Sequence, residues 1–235
     1  MIKAVLFDLD GTLLPMDQDV FVKSFSGSLA KKMETEKNYD GKLFAKAVWG
    51  SIAAMTANDG SMTNEERFWQ TYCSVMGSEG RKDEEDFLCF YENEFQQTKD
   101  VCGFDKRADE IIKLVKSKGL IPVLATNPLF PKVSTESRVK WAGLDKEDFA
   151  LITTFEDYSY CKPNLEYYKE ILTKLNLKPE ECVMVGNDVG EDMIADQLGM
   201  KTFLLTDCII NKKNEDISVY PNGSFDRLKE FIEKL

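Results

Sequence analysis

Residues 5–14, VLFDLDGTLL, run from an apolar segment straight into two carboxylates, Asp8 and Asp10, and then into Gly11. A short and nearly continuous apolar run is typical of a strand that is buried on both faces of a parallel sheet. A strand that serves only for packing gains nothing from two acids at its end. Side chains two residues apart along a strand point to the same side, so both carboxylates can reach one small volume. The segment therefore predicts a functional site at the end of a buried strand.

Further apolar runs of strand length alternate with helical patterns along the chain. With the first run included, the candidate strands are residues 2–8, 120–127, 151–154, 181–188 and 201–205. The helical patterns occupy residues 105–118, 132–142, 164–176, 191–198 and 224–234. Most of these helical patterns end at a glycine, and Ser224 can cap the last helix. The alternation predicts right-handed crossovers and an α/β fold with an open, parallel, Rossmann-like sheet.

The stretch between the first two strands breaks this alternation. It holds no convincing strand, and amphipathic segments occur at residues 18–35, 40–57, 63–77 and 83–98. Thr63 and Glu66 have the spacing of a capping box at a helix start. We therefore expect a helical subdomain at residues 15–100, inserted into a core that is formed by residues 1–14 and 101–235.

Composition excludes several classes of function. The chain has 235 residues and a formal net charge of −11, so no basic field is available to attract a nucleic-acid backbone or an anionic membrane. It contains no histidine, which rules out Ser-His-Asp hydrolases, Cys-His proteases and histidine-ligated zinc enzymes. A small phosphorylated substrate remains compatible with this charge, because it needs only a local positive site.

The cysteines and the N-terminal sequence indicate a compartment. The six cysteines are scattered without a CxxC pair, and Cys182 lies inside an apolar run as a core thiol would. The sequence starts directly on the first strand, without the basic and apolar regions of a secretory signal. We expect a cytoplasmic protein with reduced thiols.

Polar residues gather at the carboxyl ends of the predicted strands, where ligands bind in open parallel sheets. The residues at these ends are Asp8, Asp10, Thr126, Asn127, Lys162, Asn187, Asp188, Glu191 and Asp192. Two neighbouring carboxylates repel each other unless a positive group compensates them, and a set of aspartate oxygens suits Mg²⁺. Gly11 permits a sharp turn, and Thr12 can offer its hydroxyl and amide to an anion.

The order of these motifs resembles the haloacid dehalogenase (HAD) superfamily. The resemblance rests on DLDGT after an N-terminal strand, a threonine after the second strand, an isolated lysine before a proline, and GNDVGED. It covers residues 1–14 and 120–205, and the insertion at 15–100 is similar to the helical cap of the first type. Most members are Mg²⁺-dependent phosphatases that work through an aspartyl-phosphate, so the resemblance implies a hydrolase of a small phosphorylated metabolite.

The resemblance assigns roles to individual residues. Asp8 is expected to attack phosphorus, and Asp10 to protonate the leaving group and later deprotonate water, with its main-chain carbonyl on the metal. Thr126 and the Asn127 amide are expected to bind the phosphoryl oxygens, together with Gly11 and Thr12. Lys162 is expected to neutralise Asp8 and the phosphoryl charge.

The last motif departs from the commonest family pattern. Many members carry aspartate where this chain has Asn187. We expect Asp188 to ligate Mg²⁺, while Asp192 orients a metal-bound water or Lys162, or caps a helix. The candidate metal residues are therefore Asp8, Asp10, Asp188 and Asp192, and Glu191 is expected to be a solvated acid in the first turn.

Other reactions on the same fold remain open at this level. A dehalogenase needs neither Mg²⁺ nor a second acid, and Asp10 argues against it. A phosphonate hydrolase needs a lysine in the cap; the candidates there are Lys31, Lys32, Lys42 and Lys46. A phosphomutase uses the same phosphorylated aspartate. A non-catalytic phosphate- or protein-binding module usually lacks the first aspartate or the lysine, and both are present here.

The inserted helices offer few indications of the substrate. Their aromatic and methionine residues are expected mainly to pack together; they are Phe21, Phe25, Trp49, Met55, Met62, Phe68 and Trp69. Arg67 is a candidate contact for a second anionic group, although a surface position is the simpler expectation.

Overall fold

The computed structural model describes all 235 residues and has an α/β architecture. Its single sheet is parallel throughout, with the strand order β2-β1-β3-β4-β5. The strands are β1 (Ala4–Phe7), β2 (Ile121–Leu124), β3 (Cys182–Gly186), β4 (Lys201–Leu205) and β5 (Asn222–Gly223). The predicted fold class, an open parallel sheet with inserted helices, is confirmed.

Eight α-helices accompany the sheet. They are α1 (Gln18–Lys37), α2 (Gly41–Thr56), α3 (Asn64–Met76), α4 (Glu84–Glu92), α5 (Arg107–Ser117), α6 (Lys132–Trp141), α7 (Leu165–Leu175) and α8 (Phe225–Glu233). Every element between β1 and α5 is helical, as predicted, and we call residues 18–101 the helical region. The predicted capping box of Thr63 and Glu66 is present at the start of α3. None of the helices is both long enough and apolar enough to cross a bilayer.

The register of the central strands brings the site residues to one edge of the sheet. All four residues of β1 are fully buried, and β1 pairs with β2 on one side and β3 on the other. The Asp8 amide donates to the carbonyl of Val185 over 2.9 Å, and the Ala125 amide donates to that of Phe7 over 2.7 Å. Because the strands are parallel, the chain segments that follow β1, β2 and β3 all emerge at this edge.

One expected strand is absent, and one observed strand was not expected. Residues 151–154 do not form a sheet strand: Ile152 makes a single parallel bridge to Leu124, and the chain turns immediately afterwards. The buried Thr153 instead directs its hydroxyl to the carbonyl of Thr126, over 2.6 Å. Conversely, β5 was not predicted, because its Asn-Gly sequence is typical of a turn and pairs only through its backbone.

Three helical expectations also need correction. The pattern at residues 83–98 splits at Asn93 into α4 and a 3₁₀ helix, Glu94–Val101. The predicted helix at 191–198 is a 3₁₀ turn, Met193–Leu198, which ends at Gly199 in the left-handed region. Ser224 occupies the cap position of α8 but makes no capping hydrogen bond with its side chain.

Aromatic side chains join the helical region to the rest of the molecule. Phe21, Phe25, Phe68 and Trp69 are buried, as predicted, in a cluster that continues into β1 and β3. Trp49 departs from the expectation, because it remains 44% exposed on α2. The helical region and one face of the sheet therefore share one hydrophobic core.

Candidate active site

Asp8 and Lys162, which are far apart in the sequence, are in direct contact. The Lys162 ammonium donates to Asp8 Oδ1 over 2.8 Å and to Asp192 Oδ1 over 2.6 Å. All three side chains are buried, and Lys162 is only 1% exposed. The lysine precedes α7, while the two aspartates follow β1 and β3, so tertiary structure alone brings them together.

The electrostatic environment keeps Lys162 charged. Burial by itself lowers the pKa of Lys162, but the carboxylates of Asp192 and Asp8 outweigh it and raise this pKa well above its usual range. Burial also raises the pKa of Asp192, against the lowering effect of Lys162. A permanent cation is thus held beside Asp8 at neutral pH.

Asp10 has a partner that was not predicted. Its Oδ2 forms an ion pair with Nη1 of Arg138, a residue of α6 whose side chain is fully buried. Burial raises the pKa of Asp10 to about 6, while Arg138 acts to lower it. A carboxyl group with such a pKa can exchange protons near neutral pH. The sequence signal for Arg138 was weak: it lies three residues after Thr135, on a helix face that is buried yet largely polar.

Gly11 and Thr12 lie in a tight turn after Asp8, and Asn187 packs against this turn. The Thr12 hydroxyl lies 3.3 Å from Asp8 Oδ2 and 3.0 Å from Asn187 Oδ1. Gly11 has φ +82°, and a Cβ there would lie 2.3 Å from Asn187 Nδ2, so no other residue fits without strain. Asn187 Nδ2 donates to the carbonyl of Cys208 over 2.7 Å. The asparagine that departs from the family pattern thus links three backbone segments.

Asp188 and Asp192 are connected through the backbone. Asp188 Oδ1 accepts the amides of Gly190 and Glu191 at 2.7 and 3.0 Å, and the Asp188 amide donates to Asp192 Oδ2 over 3.0 Å. Asp192 therefore uses one oxygen for this amide and the other for Lys162. Asp188 is half-buried, and its Oδ2 takes part in no hydrogen bond within the chain.

Thr126 and Asn127 follow β2, and the Asn127 side chain contacts Lys162 and Glu191. Asn127 Oδ1 accepts the Lys162 amide over 3.2 Å, and Asn127 Nδ2 donates to Glu191 Oε2 over 3.0 Å. Glu191 is therefore not the solvated acid that was expected; it is half-buried, and burial raises its pKa. The Thr126 carbonyl accepts from Thr153 and Tyr167, so the buried Thr126 backbone is held in place.

Asn64, at the start of α3, ties the helical region to two of these loops. Its buried Nδ2 lies 3.3 Å from the Pro128 carbonyl and 3.3 Å from Cys161 Sγ. The main-chain amide of Asn64 donates to the carbonyl of Tyr158 over 2.8 Å. Pro128 follows Asn127, and Cys161 precedes Lys162, so one side chain of the helical region fixes the spacing of both loops.

Comparison with known proteins identifies the family. A family model described as a haloacid dehalogenase-like hydrolase matches residues 2–195, which include Asp8, Lys162 and Asp192. The chain belongs to this family. The resemblance stated from the sequence motifs is therefore confirmed, and the protein is a hydrolase of this family.

Relatives of this HAD-like hydrolase include named phosphatases. The pyrophosphatase PpaX of Bacillus mycoides is 24% identical over 202 residues, which are 86% of this chain and 82% of the relative. The glyceraldehyde 3-phosphate phosphatase of Methanothermobacter thermautotrophicus is 30% identical over 92 residues, 36% of this chain and 40% of the relative. The crystal structure of a HAD phosphatase from Thermococcus onnurineus matches with a TM-score of 0.62 at 18% identity, covering 98% of each chain; this likeness shows the fold.

An open cleft borders one side of the site of this HAD-like hydrolase. It has a volume of about 810 Å³ and is lined by Asp10, Gly11, Asn187 and the segments 15–19, 100–103 and 208–212. The first two segments connect the helical region to the rest of the chain. A small metabolite can therefore reach Asp10 from solvent along the connecting segments.

The residues present also bear on the predicted metal. No group of three Asp, Glu or Cys side chains lies at metal-binding spacing, and two of the predicted acids are paired with cations, Asp10 with Arg138 and Asp192 with Lys162. Of the predicted metal residues, Asp188 keeps one carboxylate oxygen free of hydrogen bonds, Asp8 follows the adjacent strand β1, and Asp10 was expected to use its main-chain carbonyl. Mg²⁺ commonly binds through one or two carboxylates and keeps several waters, so this donor set fits it.

Proposed function

We propose that this HAD-like hydrolase is a Mg²⁺-dependent phosphatase that cleaves a small organic phosphate monoester through an aspartyl-phosphate on Asp8. The contact between the buried Lys162 ammonium and Asp8 carries the proposal. A carboxylate that must approach a phosphoryl dianion needs a fixed positive charge beside it. Lys162 supplies that charge from a position that is closed to bulk solvent.

The reaction divides into two displacements. An oxygen of Asp8 attacks phosphorus, the bond from phosphorus to the ester oxygen breaks, and Asp10 transfers a proton to the departing alkoxide. Water then attacks the acyl phosphate, Asp10 accepts its proton, and inorganic phosphate leaves with Asp8 regenerated. The raised pKa of Asp10, about 6, suits a group that must give and then take a proton.

The remaining residues bind the transferred group. Thr12 lies beside Asp8, and the Thr126 hydroxyl takes part in none of the hydrogen bonds within the chain, so both can donate to phosphoryl oxygens. Asn127 and the Gly11 backbone complete the proposed phosphate site. Asp192 holds Lys162 in place through the 2.6 Å contact.

Asp8, Asp188 and the main-chain carbonyl of Asp10 are the groups that would hold Mg²⁺. When bound there, Mg²⁺ supplies a second positive charge that neutralises the phosphoryl oxygens. The helical region would act as the cap of the first type, with the site between it and the sheet. The names of the two relatives, a pyrophosphatase and a glyceraldehyde 3-phosphate phosphatase, support a small phosphorylated substrate.

Contacts in the helical region argue against phosphonate hydrolysis. That reaction needs an unprotonated lysine near the site. Although burial lowers it, hydrogen bonds to Glu36 and Glu94 raise the pKa of Lys32 to about 12. Lys31, Lys42 and Lys46 are exposed. The four candidates thus lack the environment that such a lysine requires.

The proposal is tested by a screen of phosphorylated metabolites with the purified protein, with and without Mg²⁺, measuring released phosphate. We expect Mg²⁺-dependent release from at least one monoester and no turnover by Asp8→Asn. Asp207→Asn is the matched control, because Asp207 follows β4 at the same sheet edge but is exposed. Turnover by Asp8→Asn would contradict the covalent mechanism, and release of halide from a haloacid would indicate a dehalogenase.

A further inference from the structure

Arg138 is a fully buried arginine with one carboxylate partner. Its Nη1 pairs with Asp10, and its Nη2 donates to Thr135 Oγ1 over 3.2 Å. Its guanidinium carbon lies 4.4 Å from the ring centroid of Phe130. A buried charge is costly unless it is paired, and Asp10 is the only acid that pairs with this one.

The Asp10 carboxylate, in turn, has Arg138 as its only hydrogen-bond partner. Arg138 occupies Asp10 Oδ2, whereas Asp10 Oδ1 is buried and has no hydrogen-bond partner. The position of this carboxylate is thus set by a single contact from α6. Asp8 and Asp192 differ in this respect, because each has contacts at both carboxylate oxygens.

The contact also connects Asp10 with the helical region. Phe130, on whose ring the guanidinium lies, packs against Phe21 and Phe25 of α1 at centroid distances of 6.1 and 5.2 Å. The aromatic rings and the Thr135 hydroxyl leave the guanidinium little freedom to move. Arg138 is therefore a rigid support, not a flexible surface arginine.

We propose that Arg138 is the positioning residue of Asp10: it holds the acid–base carboxylate in one place beside the phosphoryl group. The inference rests on the proposed function, because it assigns Arg138 a part in proton transfer to the leaving group. It predicts that loss of Arg138 lowers kcat/KM most for the substrates whose leaving group most needs a proton. A general loss of structure would affect all substrates alike.

The test compares kcat/KM for two substrates in the full-length protein with Mg²⁺. One is glycerol 3-phosphate, or the alkyl monoester that the screen shows to be cleaved fastest, whose alkoxide must be protonated. The other is acetyl phosphate, whose acetate leaves without a proton. We expect Arg138→Met to lower kcat/KM for the alkyl ester about tenfold or more and to leave acetyl phosphate within about threefold. Arg138→Lys, which retains a cation, should restore part of the loss.

Two further variants make the result decisive. Arg107→Met is the matched control, because Arg107 also pairs with an aspartate, Asp105, and also lies over a phenylalanine ring. Adding Arg138→Met to Asp10→Asn should cause no further loss with the alkyl ester, since the positioned group is already absent. Three outcomes would overturn the positioning role of Arg138 but not the proposed function. They are equal losses of kcat/KM with both substrates, no loss with the alkyl ester, and additive losses in the double variant. A wild-type protein that cleaves neither substrate would overturn the proposed function as well.

Discussion

At the scale of single residues, Lys162 is a buried cation with two acidic partners. It lies between Asp8 and Asp192, and all three side chains are withdrawn from water. Buried ion pairs of this kind contribute little net stability compared with apolar packing, yet removing one partner is strongly destabilising. A buried lysine between two acids therefore indicates a chemical requirement at this position.

Replacing Lys162 by methionine should reduce both activity and stability. We expect a loss of about 10²-fold or more in kcat and of about 3 to 5 kcal/mol in the free energy of unfolding, because two buried carboxylates lose their cation. Denaturant titration followed by circular dichroism measures the stability. Lys169→Met, which breaks an exposed pair with Glu166, should cost at most about 1 kcal/mol.

The stability of Lys162→Met should also depend on pH, measured in EDTA. Burial raises the pKa of Asp192, and without the ammonium this pKa rises further. Between the unfolded and the folded pKa, the folded protein binds more protons than the unfolded chain, so its stability falls as pH rises. The variant should lose more stability relative to wild type at pH 8 than at pH 5. A loss that is independent of pH would argue against uncompensated carboxylates.

Removal of the metal gives a second test at the residue scale. EDTA should abolish phosphate release, and Mg²⁺ should restore it. Asp188→Asn should raise the Mg²⁺ concentration for half-maximal activity about tenfold or more, because one of two carboxylate ligands loses its charge. Asp196→Asn, an exposed change in the neighbouring 3₁₀ turn, should leave this concentration unchanged. An unchanged Mg²⁺ requirement in Asp188→Asn would show that Asp188 is not a ligand of the metal.

At the scale of elements, the site consists of loops. Three strands and the start of one helix hold these loops together. The segments after β1, β2 and β3 carry Asp8, Thr126 and Asp188, while Lys162 comes from the loop before α7. The start of α3 supports two of these loops through Asn64. The helical region thus also contacts the site loops at a residue that is far in sequence from its own chain connections.

Asn64→Ala tests this support. The change removes hydrogen bonds from buried groups, among them the Asn58 amide, and should lower the free energy of unfolding by about 1 to 3 kcal/mol. Amide hydrogen exchange should accelerate at residues 127–130 and 158–162, where the contacts end. Asn93→Ala changes an exposed asparagine that bonds only within its own helix end, and should leave both loops protected. Unchanged exchange in Asn64→Ala would show that other contacts hold the loops.

At the scale of the whole molecule, the helical region and the sheet do not have separate cores. One cluster of 40 buried residues extends from α1, α2 and α3 to β1, β3, β4 and α8, so these parts should unfold together. A second cluster of 13 residues lies under α7, on the other face of the sheet. The sheet is thus covered on both faces, as its nearly continuous apolar strands require.

Cysteine labelling tests this cooperativity. Burial raises the pKa of Cys161 and Cys182 to about 12, so their thiols are both inaccessible and protonated at pH 8. Cys89 is exposed on α4 and should react with iodoacetamide within the folded protein. Cys161 and Cys182 should react only as fast as the whole protein unfolds, with the same denaturant dependence. Early labelling of Cys161, which lies where the helical region meets the sheet, would reveal separate opening of that contact.

Local patterns in the sequence predicted most of the elements and the polar residues that gather at one edge of the sheet. The apolar strand before Asp8 and the period of the helices predicted four of the five strands, because burial on both faces leaves a signal in consecutive residues. The segment at 151–154 has the same composition but lacks a second strand partner, and composition does not report pairing. The assignment of residues 15–100 as a separate subdomain stays a prediction.

The amino-acid sequence limits the groups that this protein can use to carboxylates, a hydroxyl, an amide and an ammonium, without histidine. Tertiary structure alone decided which of them meet. It placed Lys162 on Asp8 and Asp192, Arg138 on Asp10, and Glu191 on Asn127. A buried charge needs a partner in space, and the partner's distance along the chain adds only a loop-closure cost that grows slowly with length.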